Sequence, residues 1–381
     1  MMATVIAPAG LWPVRAPTPV PWPGGEAHAA DHDDALGHDV SGLVHAVDGS
    51  SSLWAVRDPG ELMRLDLDGD RYDLAPGWGD GRRITWPDGN GRPDAEAVTA
   101  AADRSDVVYV AAERDNDDPD RSRLSVLEVP VEPSSGKQIV ATRSWELTDR
   151  LPAADANTGI EGLAWIPDDA LVAAGFVDDD GERYSPADHP GHGAGLFVTG
   201  AEADGRLDAW VLGDDGDVVR IATFASGLPA VMDLAWQADA GRLWAACDEH
   251  CDGLMAQLTI GADGRFAITA LVSPPDALGG RNDEGFTIGG CDGLTASAVW
   301  ADDAAPGDHV LRRAALPCGT GAPTTTTTTV ATDPADDGDG GVWTSVGALG
   351  IGAVGVGAAS LVRRRLRPTR ATRRSRHRGS R

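Results

Sequence analysis

Short apolar runs recur along this chain, and each of them ends in a carboxylate. Five such runs, rich in Val, Leu, Ala and Trp, are Leu53–Asp58, Val107–Glu113, Leu171–Asp178, Leu243–Asp248 and Leu294–Asp302. Runs of this length and composition are typical of β-strands. Gly, Asp and Pro residues between them supply turns. The pattern therefore predicts an all-β domain.

A second motif precedes each run at a nearly constant distance. It is a polar residue directly before a short apolar stretch, at Ser41, Glu96, Glu161, Asp233 and Glu284. The acid at the end of each run follows 15 to 18 residues later, which fits two strands of about six residues and a turn. Repeats of this kind with β-type content favour a β-propeller.

In a propeller the first strand of every blade lines the central channel, so one position of the repeat occurs once per blade. Glu96, Glu161, Asp233 and Glu284 are therefore predicted to form a ring, which Ser41 completes. Carboxylates that face one small space repel each other, and this repulsion raises their pKa values. A bound cation relieves the repulsion. The sequence thus predicts a divalent cation, calcium, in the channel.

The repeat leaves the number of blades open. The third unit is the longest and contains three further strand-like stretches, Gly195–Gly200, Leu207–Leu212 and Val218–Phe224. The fold class is therefore a five- to six-bladed propeller, over residues 38–320. The strand before the Thr-rich linker, or the segment near 38–47, is expected to close the ring. The tryptophans of the repeated strands are expected to pack between blades: Trp54, Trp165, Trp236, Trp244 and Trp300.

The chain is strongly acidic, with a formal net charge of −27. Ten arginines follow residue 362, so the preceding part is more acidic still. Such a surface disfavours nucleic acid, because binding to phosphates requires basic side chains. It is compatible with cation binding and with high solubility.

The four cysteines are predicted to form two disulfides, Cys247 with Cys251 and Cys291 with Cys318. Disulfides are typical of exported proteins. A zinc site is the alternative. It is poorly supported, because only His250 lies near a cysteine pair and the ligand set is incomplete.

The two ends of the chain are predicted to lie outside the propeller. Residues 1–37 resemble a disordered or signal-like segment, with Ala27-His28-Ala29 as a cleavage-type sequence. Residues 321–341 form a Thr-, Asp- and Gly-rich linker, and 342–362 contain no charge and are long enough for a transmembrane helix. The Arg-rich residues 363–381 are predicted to be cytoplasmic, which places a monomeric propeller outside the cell membrane.

Three motifs resemble a known family. Glu96, Val98-Thr99 and the stretch from Val108 to Arg114 resemble the esterase-like phytase domains and the SdiA-regulated propellers of bacteria. Asn157 with Glu161-Gly162-Leu163, and Asn282 to Phe286, resemble later motifs of that family. The resemblance covers roughly residues 38–318. It implies an exported propeller with a divalent cation in an acidic channel and a hydrolytic activity.

Two main functions follow from these observations. The first is a cation-dependent hydrolase of esters or phosphoesters, with Glu113 orienting water or acting as the base and with Arg114 and Arg281 holding an anionic group. The second is a non-catalytic surface propeller that binds a small molecule or a cell-surface partner and holds a structural cation. A lactonase-type enzyme is a third hypothesis that the sequence does not separate from the first.

Overall fold

The strands of this protein form a five-bladed β-propeller. The computed structural model describes residues 17–32, 35–131, 136–152, 157–278, 281–304 and 307–318. In these ranges the chain forms five antiparallel blades around one channel, and each blade begins with the strand that lines the channel. The prediction of a β-propeller is confirmed, and the blade number is five.

The strands follow one another in the order of the blades. Blade 1 contains β2 (Val40–His45), β3 (Leu53–Arg57), β4 (Glu61–Asp68), β5 (Arg71–Leu74) and β6 (Arg82–Thr85). Blade 2 contains β7 (Pro93–Thr99), β8 (Val107–Asp115), β9 (Asp118–Pro130) and β11 (Arg143–Glu146), while β10 (Gln138–Val140) pairs in parallel with β6 of blade 1.

Blade 3 contains β12 (Ile160–Pro167), β13 (Gly195–Ala201), β14 (Arg206–Leu212) and β15 (Val218–Ala225). Blade 4 contains β16 (Asp233–Gln237), β17 (Arg242–Ala246), β18 (Met255–Ile260) and β19 (Phe266–Val272). Blade 5 contains β20 (Asp283–Ile288), β21 (Thr295–Asp302), β22 (Leu311–Pro317) and β1 (His28–Ala29). The helix α1 (Asp168–Ala174) follows β12, and short 3₁₀ helices lie at Pro186–Asp188, Ala238–Ala240, Glu249–Cys251 and Asp276–Leu278.

The third unit differs from its prediction in one strand. The stretch expected to be the strand Leu171–Asp178 contains α1 instead, which begins after Pro167 with two acids in its first turn and ends at Gly175. Gly175 adopts a left-handed conformation that caps the helix. The second strand of this blade is β13, so the three stretches that left the blade number open complete blade 3.

The N-terminal part of the described chain belongs to the propeller, and the predicted boundary at residue 38 needs this correction. The strand β1 pairs with β22 as the outermost strand of blade 5. Val20 forms hydrogen bonds with blade 4, to Leu271 and from Ser273. The buried Trp22 ring packs against Trp244 and Trp300. Residues 28–29, rather than the segment near 38–47 or the last strand, therefore join the two ends of the chain.

The hydrophobic core is distributed between the blades. Tryptophans occupy most of these interfaces, and Trp54, Trp165, Trp244 and Trp300 are buried there as predicted, with Trp236 partly buried. Burial of such large rings is a major source of stability, at about 25 cal/mol per Å² of apolar surface. The core thus holds neighbouring blades at a fixed angle around the channel.

Both predicted disulfides are present, Cys247–Cys251 and Cys291–Cys318. The cysteines are therefore not thiolate ligands for zinc. The predicted linker 321–341, transmembrane helix 342–362 and basic tail 363–381 lie outside the described residues. Within the described ranges, no helix is both long and apolar enough to span a bilayer.

Candidate functional site

A β-bulge marks the predicted ring position in four of the five blades. The register of the first two strands shifts around Ser41, Glu96, Glu161 and Glu284. A bulge adds one residue to a strand and redirects its side chain. The first strand of each of these blades therefore presents its polar residue at the same level of the channel.

In the four blades with a bulge, an acid at the end of the second strand or directly after it lies beside the bulge. In blades 1, 3 and 5 these are Asp58, Glu202 and Asp303, each following a residue that pairs with the beginning of the first strand. In blade 2 the acid is Glu113. Glu202 and Asp303 replace the predicted Asp178 and Asp302. Glu202 is identified by β13, the strand that follows the insert of blade 3 (residues 178–194). Asp303 is identified only by the pairing register.

Three buried acids of blade 2 form the tightest group. One carboxylate oxygen each of Asp94, Glu96 and Glu113 lies within 4.8 Å of the other two. Arg114 forms ion pairs with Asp94 and, at 3.2 Å, with Glu113. It also donates a hydrogen bond to Asn157 of blade 3. Arg114 therefore holds the acids in place, and its guanidinium is already engaged by protein side chains.

Hydrogen bonds from blade 3 and from within blade 2 support this group, and one of the donors also contacts blade 1. The backbone N–H of Gly159 donates to Oε2 of Glu113 at 3.1 Å. The amide of Asn116 donates to Oδ1 of Asp94 at 2.9 Å and to the carbonyl of Asp58 at 2.7 Å. Ser41, the non-acidic member of the ring, donates to Oδ1 of Asp58. Blades 1, 2 and 3 thus meet at these carboxylates.

Burial and mutual repulsion raise the pKa values of the ring acids. The pKa of Glu96 is well above its ordinary value, first because the group is buried and then because Glu161, Asp58 and Glu113 are negatively charged. Burial and the charges of Glu113, Glu202 and Glu284 have the same effect on the pKa of Glu161. Acids of four blades therefore raise each other's pKa values in the channel.

The second-strand acids and Glu284 share this behaviour. Burial raises the pKa of Asp58 to about 7, although the hydrogen bond from Ser41 opposes the rise. Burial also raises the pKa of Glu113 to about 8 against the effect of Arg114. Burial and the charge of Asp303 raise the pKa of Glu284. These acids bind protons, or another cation, more readily than free carboxylates do.

Asp233 lies in the channel but differs from the other predicted ring residues. Its strand has no bulge, and Asp233 pairs directly with Ala246. Its Oδ2 accepts hydrogen bonds from the backbone N–H groups of Phe286 at 2.8 Å and Leu43 at 3.5 Å. Because its oxygens already accept backbone hydrogen bonds, Asp233 has less capacity left for a cation than the other ring acids. Its role as a cation ligand stays a prediction.

Arg281 lies at the beginning of blade 5, close to the acids of that blade. Its guanidinium lies 3.7 Å from Oδ2 of Asp302 in blade 5. The buried Asp283 lies in the same group: burial and the charge of Asp302 raise its pKa to about 8, while Arg281 and Arg312 oppose the rise. Arg281 therefore balances buried acids of its own blade.

The chemistry of the ring fits a hard cation. Its ligand atoms are carboxylate oxygens, which calcium prefers, whereas zinc usually takes nitrogen or sulfur. Glu96 and Glu161 are each only 6% exposed. Burial penalises the charged form of both carboxylates and raises their pKa values. A proton or a cation at these carboxylates offsets that penalty.

Comparisons with known proteins do not identify a family for this chain. No protein-family model matches the sequence, and no curated protein matches it significantly. Similar solved structures include hydrazine synthase of Kuenenia stuttgartiensis, with 12% identity over 72% of this chain and a TM-score of 0.35. The chain spans 58% of that protein's length. The WD40 repeats of RRP9 are 8% identical over 77% of this chain and 98% of theirs, with a TM-score of 0.37. The class, a five-bladed β-propeller, is defined by this chain's own sheet topology.

Proposed function

We propose that this protein is a cation-binding propeller whose channel carboxylates bind a divalent cation, with calcium as the best fit. The observation that carries the proposal is the close group of Asp94, Glu96 and Glu113. Glu161 lies near enough for mutual charge effects with Glu96 and Glu113. Buried acids that repel each other lose this destabilisation when they share a divalent cation.

The proposed activity at this site is hydrolysis of an ester or phosphoester. A bound divalent cation polarises the scissile group and lowers the pKa of a bound water. Glu113 is placed to accept a proton from water, because one of its carboxylate oxygens lies within 4.8 Å of those of Asp94 and Glu96 at the proposed site. Arg114 and the N–H of Gly159 keep the Glu113 carboxylate in a fixed position. Arg114 therefore serves in positioning, and Arg281 has no role in this proposal.

A non-catalytic propeller with a structural cation is the second candidate. The observation that favours it is that the guanidinium of Arg114 is engaged by Asp94, Glu113 and Asn157. An arginine in this state does not readily bind a substrate anion. In this case the cation stabilises the junction of blades 1, 2 and 3, and a ligand or partner binds elsewhere on the surface.

Calcium titration of cation-free protein by calorimetry tests cation binding. Glu161→Gln removes one charge from the ring and is expected to weaken calcium binding at least about tenfold, because affinity depends on the number of charged ligands. The matched control is Glu182→Gln, which changes an exposed acid in the insert of blade 3. Equal calcium affinity in the two variants contradicts the proposed site.

A panel of carboxylic and phosphate esters, assayed with calcium and with a chelator, then separates the two candidates. Turnover that is lost with chelator and in Glu161→Gln, but kept in Glu182→Gln, supports the hydrolase. Absence of turnover together with a calcium-dependent rise in Tm supports the structural cation.

We also propose that the propeller is exported and anchored by the predicted helix 342–362. The two disulfides support export, because such bonds persist mainly in oxidising compartments. Protease treatment of intact cells tests the proposal. Cleavage of the propeller without lysis is expected, and protection until lysis contradicts it.

A further inference from the structure

The carboxylate of Asp233 faces backbone N–H groups of four blades. Oδ1 accepts from Leu234 of its own blade at 2.7 Å, and Oδ2 accepts from Phe286 of blade 5 and Leu43 of blade 1. Burial raises the pKa of Asp233 well above its ordinary value, and these N–H groups oppose the rise together with that of Leu163 in blade 3, which lies close to the carboxylate. Since blade 3 is separated from blade 1 by blade 2 and from blade 5 by blade 4, one carboxylate reaches all of them only near the channel axis.

The donors occupy equivalent positions in the repeat. Leu43, Leu163 and Phe286 each follow a glycine, and that glycine follows the ring position. First strands have no neighbouring strand on their channel side, so N–H groups that point to the axis lack partners within the sheet. When such N–H groups are buried without an acceptor, they destabilise the folded protein.

The glycine of blade 3 allows its first strand to approach the first strand of blade 4 closely. A Cβ atom on Gly162 would lie 2.9 Å from Cγ of Leu234 and 3.2 Å from the backbone carbonyl carbon of Asp233. In blade 4 the glycine position of the repeat is occupied by Asp233 itself, since Leu234 and Trp236 align with Leu163 and Trp165. Blade 4 therefore has an acid at the position where blades 1, 3 and 5 have a glycine.

We infer that the first strands of blades 1, 3, 4 and 5 form an internal anion-binding site of converging N–H groups, that the carboxylate of Asp233 occupies it, and that a small free carboxylate binds there when this side chain is removed. Convergent backbone N–H groups are a general way to bind anions. Asp233 is completely buried, which shields its hydrogen bonds from water.

The site also positions the ring acids, and this part rests on the proposed cation binding. Leu163 and Phe286 each lie two residues after a ring glutamate, Glu161 and Glu284. When the Asp233 carboxylate holds the N–H groups of Leu163 and Phe286 in place, it also holds the β-bulges that precede these residues. Asp233 is therefore a positioning residue rather than a cation ligand.

Chemical rescue of Asp233→Ala by sodium formate tests the inference. Blade 2 has Ala97 at the equivalent position, so alanine is compatible with the strand. In chelator, the variant is expected to have a Tm lower by on the order of 5–10 °C, because several buried N–H groups lose their acceptor. Formate is expected to restore part of this loss in a saturable way, compared with sodium chloride at equal ionic strength.

Two controls separate rescue from general salt effects. In the wild-type protein the site is filled, so formate is expected to change the Tm little. Leu258→Ala removes a completely buried side chain of the same blade and is expected to lower the Tm without rescue. Equal responses to formate in all three proteins overturn the inference.

If Asp233→Ala does not fold, a refolding experiment tests the inference. Asp233→Ala is then refolded from urea with and without formate, and recovery of native tryptophan fluorescence only with formate supports the inference. Asp233→Asn keeps the shape but faces the N–H donors with an NH₂ group, so it is expected to be less stable than wild type. Failure of formate refolding together with wild-type stability of Asp233→Asn overturns the inference.

These stability measurements do not depend on a divalent cation, because they are made in chelator. Calcium titration of Asp233→Ala then tests the positioning role. Formate is expected to restore calcium affinity in this variant and to leave that of Glu161→Gln unchanged. If the wild-type protein does not bind calcium, the proposed function fails while the anion site is still tested by rescue.

Discussion

The backbone N–H of Gly159 lies 3.1 Å from Oε2 of Glu113 and joins the beginning of blade 3 to the second strand of blade 2. There is no room for a side chain at this junction. A Cβ atom on Gly159 would lie 2.6 Å from Cδ2 of Leu124 and 2.9 Å from Cβ of Glu113. The glycine therefore allows the close approach that positions the carboxylate.

Gly159→Ala is expected to displace Glu113 and to weaken calcium binding by about tenfold, since a small shift of an oriented ligand costs affinity. Calorimetric titration measures this effect. Gly25→Ala is the matched control, because a Cβ atom there meets no atom within 4 Å. Equal affinities of the two variants would show that the Gly159 contact does not position the site.

The stability of the cation-free protein is expected to fall as the pH rises from about 5 to 8. The carboxyl groups of Asp58 and Glu113 have pKa values of about 7 and about 8 in the folded protein, above their ordinary values of 3.8 and 4.5. The folded state thus binds more protons than the unfolded state in this window, and stability decreases with pH by on the order of a few kcal/mol. Urea unfolding in chelator at several pH values measures the slope.

Calcium is expected to flatten this slope, because the bound cation replaces the protons. The same exchange predicts that calcium binding at pH 6.5 releases about one proton or more. Titrations in buffers of different ionisation enthalpy count the released protons. A pH-independent stability without calcium, or binding without proton release, contradicts the assigned raised pKa values.

Trp22→Ala is expected to destabilise the propeller by about 3–5 kcal/mol, the usual cost of removing a large buried ring. Trp22 is 7% exposed and donates a hydrogen bond of 2.9 Å to the carbonyl of Ala315. Urea unfolding measures the change. Leu294→Ala, at a side chain that is 83% exposed, serves as the control. Equal stability of both variants would place the N-terminal segment outside the cooperative fold.

The sequence predicts the repeat and four of its ring positions for a physical reason. A propeller repeats one local pattern. The polar residue, the apolar strand and the following acid therefore recur at a nearly constant spacing, which can be recognised in the sequence. The bulges at Ser41, Glu96, Glu161 and Glu284 fall on the positions that this pattern marks. Both predicted disulfides are confirmed. They could be predicted because the spacing of the cysteines reflects local hairpin geometry.

Other features of the structure could not be predicted from the repeat pattern alone. Asp233 fits the spacing but lies one residue late, and alignment of Trp236 with Trp165 carries the missing signal. The α1 helix was also readable, since two acids after Pro167 and a glycine at its end are typical helix limits. The two-residue strand β1 was not readable, because a strand this short has no periodicity and its partner β22 is distant in sequence.

A crystal structure grown with calcium, with anomalous diffraction to locate the ion, is the decisive test of the proposed cation site. We predict a peak at about 2.3–2.6 Å from carboxylate oxygens of Glu96 and at least one of Glu113 and Glu161. We also predict that Asp233 keeps its backbone hydrogen bonds. An ion bound by other residues, or none at saturating calcium, would contradict a cation site in the channel.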